Sequence, residues 1–136
     1  MDTIELIPKG DHHGWLIALE NLKEVPFEIR RVYYIYGTVP DFRRGKHAHR
    51  NLQQLAICVA GSCRFVLDDG TERREYLLNR NTLGLKIDSM VWREMYDFTP
   101  DCVLLVLADS LYDPTDYIHD YDLFHREIES RTRFIP

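Results

Sequence analysis

Short segments rich in Val, Ile, Leu and Tyr recur along this chain between turn signals, and few stretches hold a helical period over a useful length. That pattern restricts the chain to a mostly β fold. Candidate strands run Ile4 to Ile7, Trp15 to Leu19, Ile29 to Tyr36, Gly45 to His49, Gln54 to Val59, Cys63 to Leu67, Arg73 to Leu78, Leu83 to Ile87, Val91 to Met95 and Val103 to Ala108. Asp68-Asp69-Gly70 falls between two of them and reads as a hairpin turn, because Gly tolerates the positive φ such turns require. Asp113-Pro114-Thr115-Asp116 breaks the pattern, and Asp122 to Arg131 then reads as one amphipathic helix begun by an Asp cap. Short antiparallel strands in one domain must hide their edges, which a barrel or a two-sheet jelly roll achieves. We expect an all-β jelly roll, a double-stranded β-helix with a short C-terminal helix, as a single domain over residues 1–136. Such a barrel encloses a cavity.

With 136 residues the chain can bury a core without disulfides or a structural ion. Its net charge of −5 includes no basic stripe long enough to follow a phosphate backbone, which argues against nucleic acid as a partner. Basic residues cluster only locally, at Arg30-Arg31 and Arg43-Arg44-Gly45-Lys46, a focus suited to a small anion. Cys58, Cys63 and Cys102 form no C-x-x-C pair and sit in apolar segments, which fits a reduced compartment. Asp2 and Glu5 stand where a secretory signal carries basic residues, and the apolar run Cys102 to Ala108 is far short of the ~20 residues that span a bilayer. These features predict a cytoplasmic chain with no membrane association.

Lys46-His47-Ala48-His49-Arg50-Asn51 holds two imidazoles at i and i+2 in a predicted strand. Alternation puts His47 and His49 on one face, with Cα atoms about 6.8 Å apart at roughly 3.4 Å rise per residue. Such a pair serves either a metal or a proton transfer. A metal-binding cupin barrel adds a carboxylate three or four residues after the H-x-H and a third histidine from a distant strand. Here the carboxylate positions are the amides Gln53 and Gln54, and the distant one is Arg93, a permanent cation. The pattern favours a metal-free acid–base or anion-binding pocket.

An ordered series of motifs covers most of the chain. It comprises Pro26-Phe27-x-Ile29-x-Arg31-Val32-Tyr33-Tyr34-Ile35, Arg44-Gly45-x-His47-x-His49, Gly61-Ser62-Cys63 and Leu67-Asp68-Asp69-Gly70. Val91-Trp92-x-Glu94-Met95 with Asp97-Phe98, Val106-Leu107-Ala108 and Tyr112-Asp113-x-Thr115-Asp116-Tyr117-Ile118 complete it. The series resembles the cupin sugar 3,4-ketoisomerases acting on dTDP-4-keto-6-deoxy-D-glucose. The resemblance implies a cupin-like jelly roll, no metal or other cofactor, and a nucleotide sugar bound in the barrel mouth. It also implies a homodimer that exchanges N-terminal strands. The implied reaction moves the carbonyl from C4 to C3, for use by an aminotransferase in deoxyaminosugar synthesis (O-antigen, S-layer or natural product). Family members vary at the positions of His13 and Arg93, which bear on the face of C4 that receives the proton. Arginine at 93 leans toward the gluco product.

The reaction needs a base that is unprotonated near neutral pH and returns the proton it takes, for which histidine is suited. His47 is the expected base, with His49 and Arg93 stabilising the enediolate. Tyr33, on the face of Arg31, is the expected shuttle between O3 and O4. Arg31 and Arg44 are the expected diphosphate anchors, with Lys46, His13 and Gln54 as further substrate contacts. His12, His119 and His125 read as exposed or structural, and Trp15, Tyr34, Tyr36 and Trp92 as core or dimer-interface aromatics. Two other functions share these residue types: a dTDP-sugar 3,5-epimerase, and a non-catalytic cupin that binds sugar nucleotides.

Overall fold

The computed structural model describes residues 2–133. Its strands in chain order are β1 (Asp2–Glu5), β2 (Lys9–Asp11), β3 (Gly14–Leu16), β4 (Arg31–Ile35), β5 (Arg44–His49), β6 (Gln54–Ala60), β7 (Cys63–Asp68), β8 (Arg73–Leu78), β9 (Leu83–Ile87), β10 (Trp92–Tyr96), β11 (Val103–Ala108) and β12 (Tyr117–Ile118). A 3-10 turn at Pro114–Asp116 precedes β12, and the helix α1 (Tyr121–Arg133) follows it. The strands form two five-stranded sheets, β1-β9-β6-β11-β4 and β12-β5-β10-β7-β8, while β2 and β3 make a separate ribbon. This is the expected jelly roll with one C-terminal helix.

Alternation along each strand builds the space between the sheets. Phe65 and Leu67 of β7, Leu85 and Ile87 of β9, and Leu104 and Val106 of β11 all point inward and are buried. Strand β6 is buried on both faces. Its Ala56 and Cys58 face this core, while Leu55 and Ile57 pack outward beneath Leu6, Val25 and Phe27 of the N-terminal segment. That cover explains two shifted boundaries. The strand expected from Trp15 to Leu19 stops at Leu16 because Ile17 and Leu19 turn to pack on the same cluster. The first strand lies at Asp2–Glu5, paired with Leu83–Lys86, and Leu6 is the residue that folds inward.

The Asp68-Asp69-Gly70 turn forms as predicted, joining β7 to β8. Asp68 Oδ1 accepts the Gly70 N–H at 2.8 Å, Asp69 Oδ1 accepts from Thr71 and Glu72, and Gly70 has φ +92°. The helix begins at Tyr121, with Asp120 rather than Asp122 as the cap: its Oδ1 accepts the Leu123 N–H at 3.1 Å. Phe124 is fully buried against Ala48, Trp92 and Ile118, which seats α1 on the second sheet. Truncating such a ring to Ala costs about 3–5 kcal/mol. No helix among the described residues is long and apolar enough to cross a membrane.

Candidate active site

A distortion in β5 aims the histidines. Gly45 and Lys46 both have left-handed backbone, φ +84° and +58°, and a Cβ on Gly45 would lie 3.0 Å from the Arg93 carbonyl oxygen. The register with β10 slips there, and beyond the slip Arg93 stands directly opposite His47. The His47 and His49 rings meet edge to face with centroids 4.8 Å apart, while Ala48 between them points to the helix side. The two imidazoles share one face, as alternation predicted.

Arg93 is buried in the interior, only 2% exposed. One terminal nitrogen donates to Gln54 Oε1, and the other donates to the Val91 carbonyl at 3.0 Å. Gln54 Nε2 in turn donates to the Tyr33 hydroxyl at 2.9 Å. Arg31 shares the inner face of β4 with Tyr33, its guanidinium carbon 5.3 Å from the ring centroid. Arg93 therefore underlies the site and acts on it through charge and through Gln54.

Burial first, and the Arg93 charge second, hold His47 down from 6.5 to about 4 and His49 to about 2. Both rings are neutral proton acceptors at physiological pH. Burial alone brings Arg93 down to about 10, so it stays a cation. Burial raises the Tyr33 phenol, against the opposing pull of Arg93 and the Gln54 hydrogen bond.

Arg31, Tyr33, Arg44, His47 and Tyr117 line a cavity of about 240 Å³. A neighbouring hollow of about 100 Å³ shares Arg31 and Tyr117 and adds His49 and Asp116. Tyr117 is the partition. Its ring centroid is 4.9 Å from that of His47 and 4.2 Å from that of His49, and His119 stacks on it at 5.3 Å. Asp116 Oδ2 lies 3.3 Å from His49 Nδ1 without the alignment of a hydrogen bond, and its Oδ1 accepts the Asn51 N–H. Arg50 clamps this strap in place, donating to the carbonyls of Thr115 and Tyr117 and gripping Glu127 of α1 with two nitrogens.

The fold thus gathers His47, His49, Tyr33, Arg93, Arg31, Arg44 and Gln54. Arg44 and Lys46 are exposed, and both also line a shallow hollow of about 500 Å³ with Arg43. Gln54 differs from the expected sugar contact, since its carbonyl and an N–H are committed to Arg93 and Tyr33. His13 stays apart within one chain, at the tip of the β2–β3 ribbon, exposed and 3.2 Å from Asp11. Trp15, Tyr34 and Tyr36 are exposed by 63–71% within one chain, so they are not core residues. Sequence reasoning missed Asp116 and Tyr117 as site residues and read His119 as peripheral, although its ring centroid is 6.0 Å from that of His47.

A second cluster lies deep in the core. Cys58 Sγ is 3.6 Å from Cys63 Sγ and 3.8 Å from Cys102 Sγ, within a shell that includes Phe65, Leu78, Phe98 and Leu104. Burial pushes the Cys102 thiol up to about 12, and the hydrogen bond shared with Cys58, then burial, raises Cys63. An apolar shell offers nothing to offset several thiolate charges, so the three pack as small hydrophobes.

Residues 1–129 match the model of a protein family described as FdtA: WxcM-like, C-terminal. The chain is 48% identical over 118 residues to a TDP-4-oxo-6-deoxy-alpha-D-glucose-3,4-oxoisomerase of Aneurinibacillus thermoaerophilus, covering 87% of this chain and 85% of the relative. Among solved structures it resembles the WlaRB TDP-quinovose 3,4-ketoisomerase of Campylobacter jejuni, with a TM-score of 0.89, 50% identity, and 92% and 96% of the two chains covered. It is also similar to a variant of the 3,4-ketoisomerase QdtA from Thermoanaerobacterium thermosaccharolyticum in complex with TDP-4-keto-6-deoxyglucose. There the TM-score is 0.91 and the identity 41%, over 99% and 96% of the two chains.

Proposed function

This chain belongs to the FdtA, WxcM-like family and is a TDP-sugar 3,4-ketoisomerase, and we propose that it converts TDP-4-keto-6-deoxyglucose to a TDP-3-keto-6-deoxyhexose without a metal. The observation that carries this reading is the cavity shared by His47 and Tyr33, with the Arg93 guanidinium beneath. A neutral His47 takes the C3 proton. The C3–H electron pair forms a C3–C4 double bond, and the former carbonyl pair moves onto O4, where Tyr33 supplies a proton. Tyr33 recovers a proton from O3 as the C3 carbonyl forms, and His47 returns its proton to C4. Carbon 3 is oxidised and carbon 4 reduced within one molecule, so no external oxidant or reductant takes part. Arg93 favours the developing enediolate by charge, and Arg31 and Arg44 suit the diphosphate.

The donor set supports a metal-free site. Among the described residues no carboxylate, cysteine or third histidine joins His47 and His49 in a compact ligand cluster, and the residue facing His47 is a permanent cation. The similarity to a TDP-quinovose enzyme, quinovose being the gluco-configured 6-deoxyhexose, supports the gluco product. The pathway we propose is cytoplasmic deoxyaminosugar synthesis, in which an aminotransferase consumes the 3-keto product. A homodimer interface is supported by the exposed aromatics Trp15, Tyr34 and Tyr36, and exchange of N-terminal strands would move β1 from β9 of its own chain to that of the partner. Light scattering on the purified chain tests that assembly.

Incubation with TDP-4-keto-6-deoxyglucose in D2O, followed by proton NMR, tests the activity. A 3-keto product with deuterium at C4 is expected. Inversion at C5 indicates a 3,5-epimerase, and unchanged sugar indicates a binding module. His47→Asn is expected to abolish turnover while TDP affinity stays within about threefold, since the base and the phosphate anchors are separate groups.

A further inference from the structure

Gln54 is 3% exposed and opens β6 directly beneath the cavity. Its two amide ends are chemically distinct, and the partner on one side fixes which end is which. A guanidinium only donates hydrogen bonds, so the atom facing Arg93 is the carbonyl oxygen, and the amide nitrogen faces Tyr33. The Tyr33 oxygen is then the acceptor in that pair, and its own proton points elsewhere. Charged or titratable groups acting on Tyr33 are Arg93, Arg31 and Tyr117, and the two guanidiniums have no acceptor to offer. Tyr33 lines the cavity with His47, so the phenol proton is presented to whatever the cavity holds.

We propose that Gln54 is a positioning residue that transmits the fixed polarity of Arg93 to Tyr33, holding the phenol as a proton donor toward the sugar and its oxygen as an acceptor of the Gln54 N–H. This inference rests on the ketoisomerase reading. When Tyr33 gives its proton to O4, the phenolate keeps the Gln54 hydrogen bond, and that bond strengthens as charge appears on the oxygen. The phenolate then takes the O3 proton, and the hydroxyl returns to its starting orientation. The amide does not turn over during the cycle, because Arg93 holds its other end.

Two substitutions separate this role from simple core filling. Gln54→Glu keeps the shape and the Arg93 contact but replaces the N–H donor with a carboxylate oxygen that captures the Tyr33 proton. Gln54→Leu removes both polar ends yet leaves the Tyr33 proton free. At pH 8, where His47 is neutral in every variant, Gln54→Glu is expected to lower kcat about 100-fold or more with KM little changed. Gln54→Leu is expected to lower it only about tenfold, the scale of one lost hydrogen bond. A residue that merely fills space predicts the reverse order, because Glu preserves the packing and Leu strands Arg93.

A second readout needs no substrate. In protein carrying 13C at the tyrosine ring, with Tyr33→Phe to assign the signal, Tyr33 ionisation should move to higher pH in Gln54→Glu. Gln54→Glu more active than Gln54→Leu, or an unmoved Tyr33 titration in Gln54→Glu, would overturn the proposal. A wild-type chain that leaves TDP-4-keto-6-deoxyglucose unchanged defeats the ketoisomerase reading instead, and the titration then still reports on Gln54.

Discussion

Replacing Arg93 with Met removes a buried charge while keeping most of the apolar stem, and it makes the proton affinity of His47 measurable. The fall of His47 from 6.5 to about 4 corresponds to about 3 kcal/mol in favour of the neutral ring. Burial is the largest cause and Arg93 the next, so the substitution should return only part of that preference. The acid limb of kcat/KM, which reports groups of the free enzyme, is expected near 4 in the wild type and between there and 6.5 in Arg93→Met. At pH 5.5 a ring at about 4 is almost wholly neutral, whereas one at 6.5 is about one-tenth neutral. The loss at pH 5.5 relative to pH 8 is therefore bounded at about tenfold. Normalising each enzyme to its own rate at pH 8 removes the separate effect of unpairing Gln54. The assay is NMR quantification of the 3-keto sugar at low substrate, with the His47 ring carbon titrated in parallel. A wild-type limb at 6.5, or a limb that does not move in Arg93→Met, refutes the electrostatic coupling.

Glu127→Gln weakens the clamp on Arg50 and should lower stability by about 1 kcal/mol, or about 3–5 °C in Tm by calorimetry. It should also lower kcat, because the strap bearing Asp116 and Tyr117 loosens; unchanged activity would separate the clamp from the site. Because His47 and His49 are held below 6.5, the unfolded chain takes up protons first as pH falls. Stability present above 6.5 is thus lost on the way down to about 4 for His47 and about 2 for His49. His47→Gln should flatten the urea midpoint against pH between 6.5 and 4, and an unaltered slope contradicts the shift. Gly61→Ala sets a Cβ 2.4 Å from Thr99 Oγ1 and 2.8 Å from Cys102 Cα on a backbone with φ +63°. A loss of about 2 kcal/mol or more is expected by denaturant unfolding, and a neutral result rules out a rigid turn there.

Local signals in the sequence were sufficient for most of the strands and for part of the candidate site. The i, i+2 spacing put His47 and His49 on one face because alternation is a property of the strand itself, and the same rule joined Tyr33 to Arg31. Arg93 was visible as a cation where a metal ligand would stand, but its pairing opposite His47 depends on a register slip that no local pattern encodes. Asp116 and Tyr117 escaped because their setting is a 3-10 turn and a two-residue strand, too short to show periodicity. Tyr117 pairs with His49, a long-range contact that topology alone supplies. The Asp113-x-Thr115-Asp116-Tyr117 block was the available hint. Likewise, nothing in the spacing of Cys58, Cys63 and Cys102 foretold sulfur contacts of 3.6 and 3.8 Å.

The grip of Arg50 on Glu127 also makes α1 an outlying part of the pocket. Every strand of both sheets precedes this helix in the chain, yet the brace behind Tyr117 comes from it. A disturbance on the far side of the helix would then reach the sugar without altering any residue that lines the cavity.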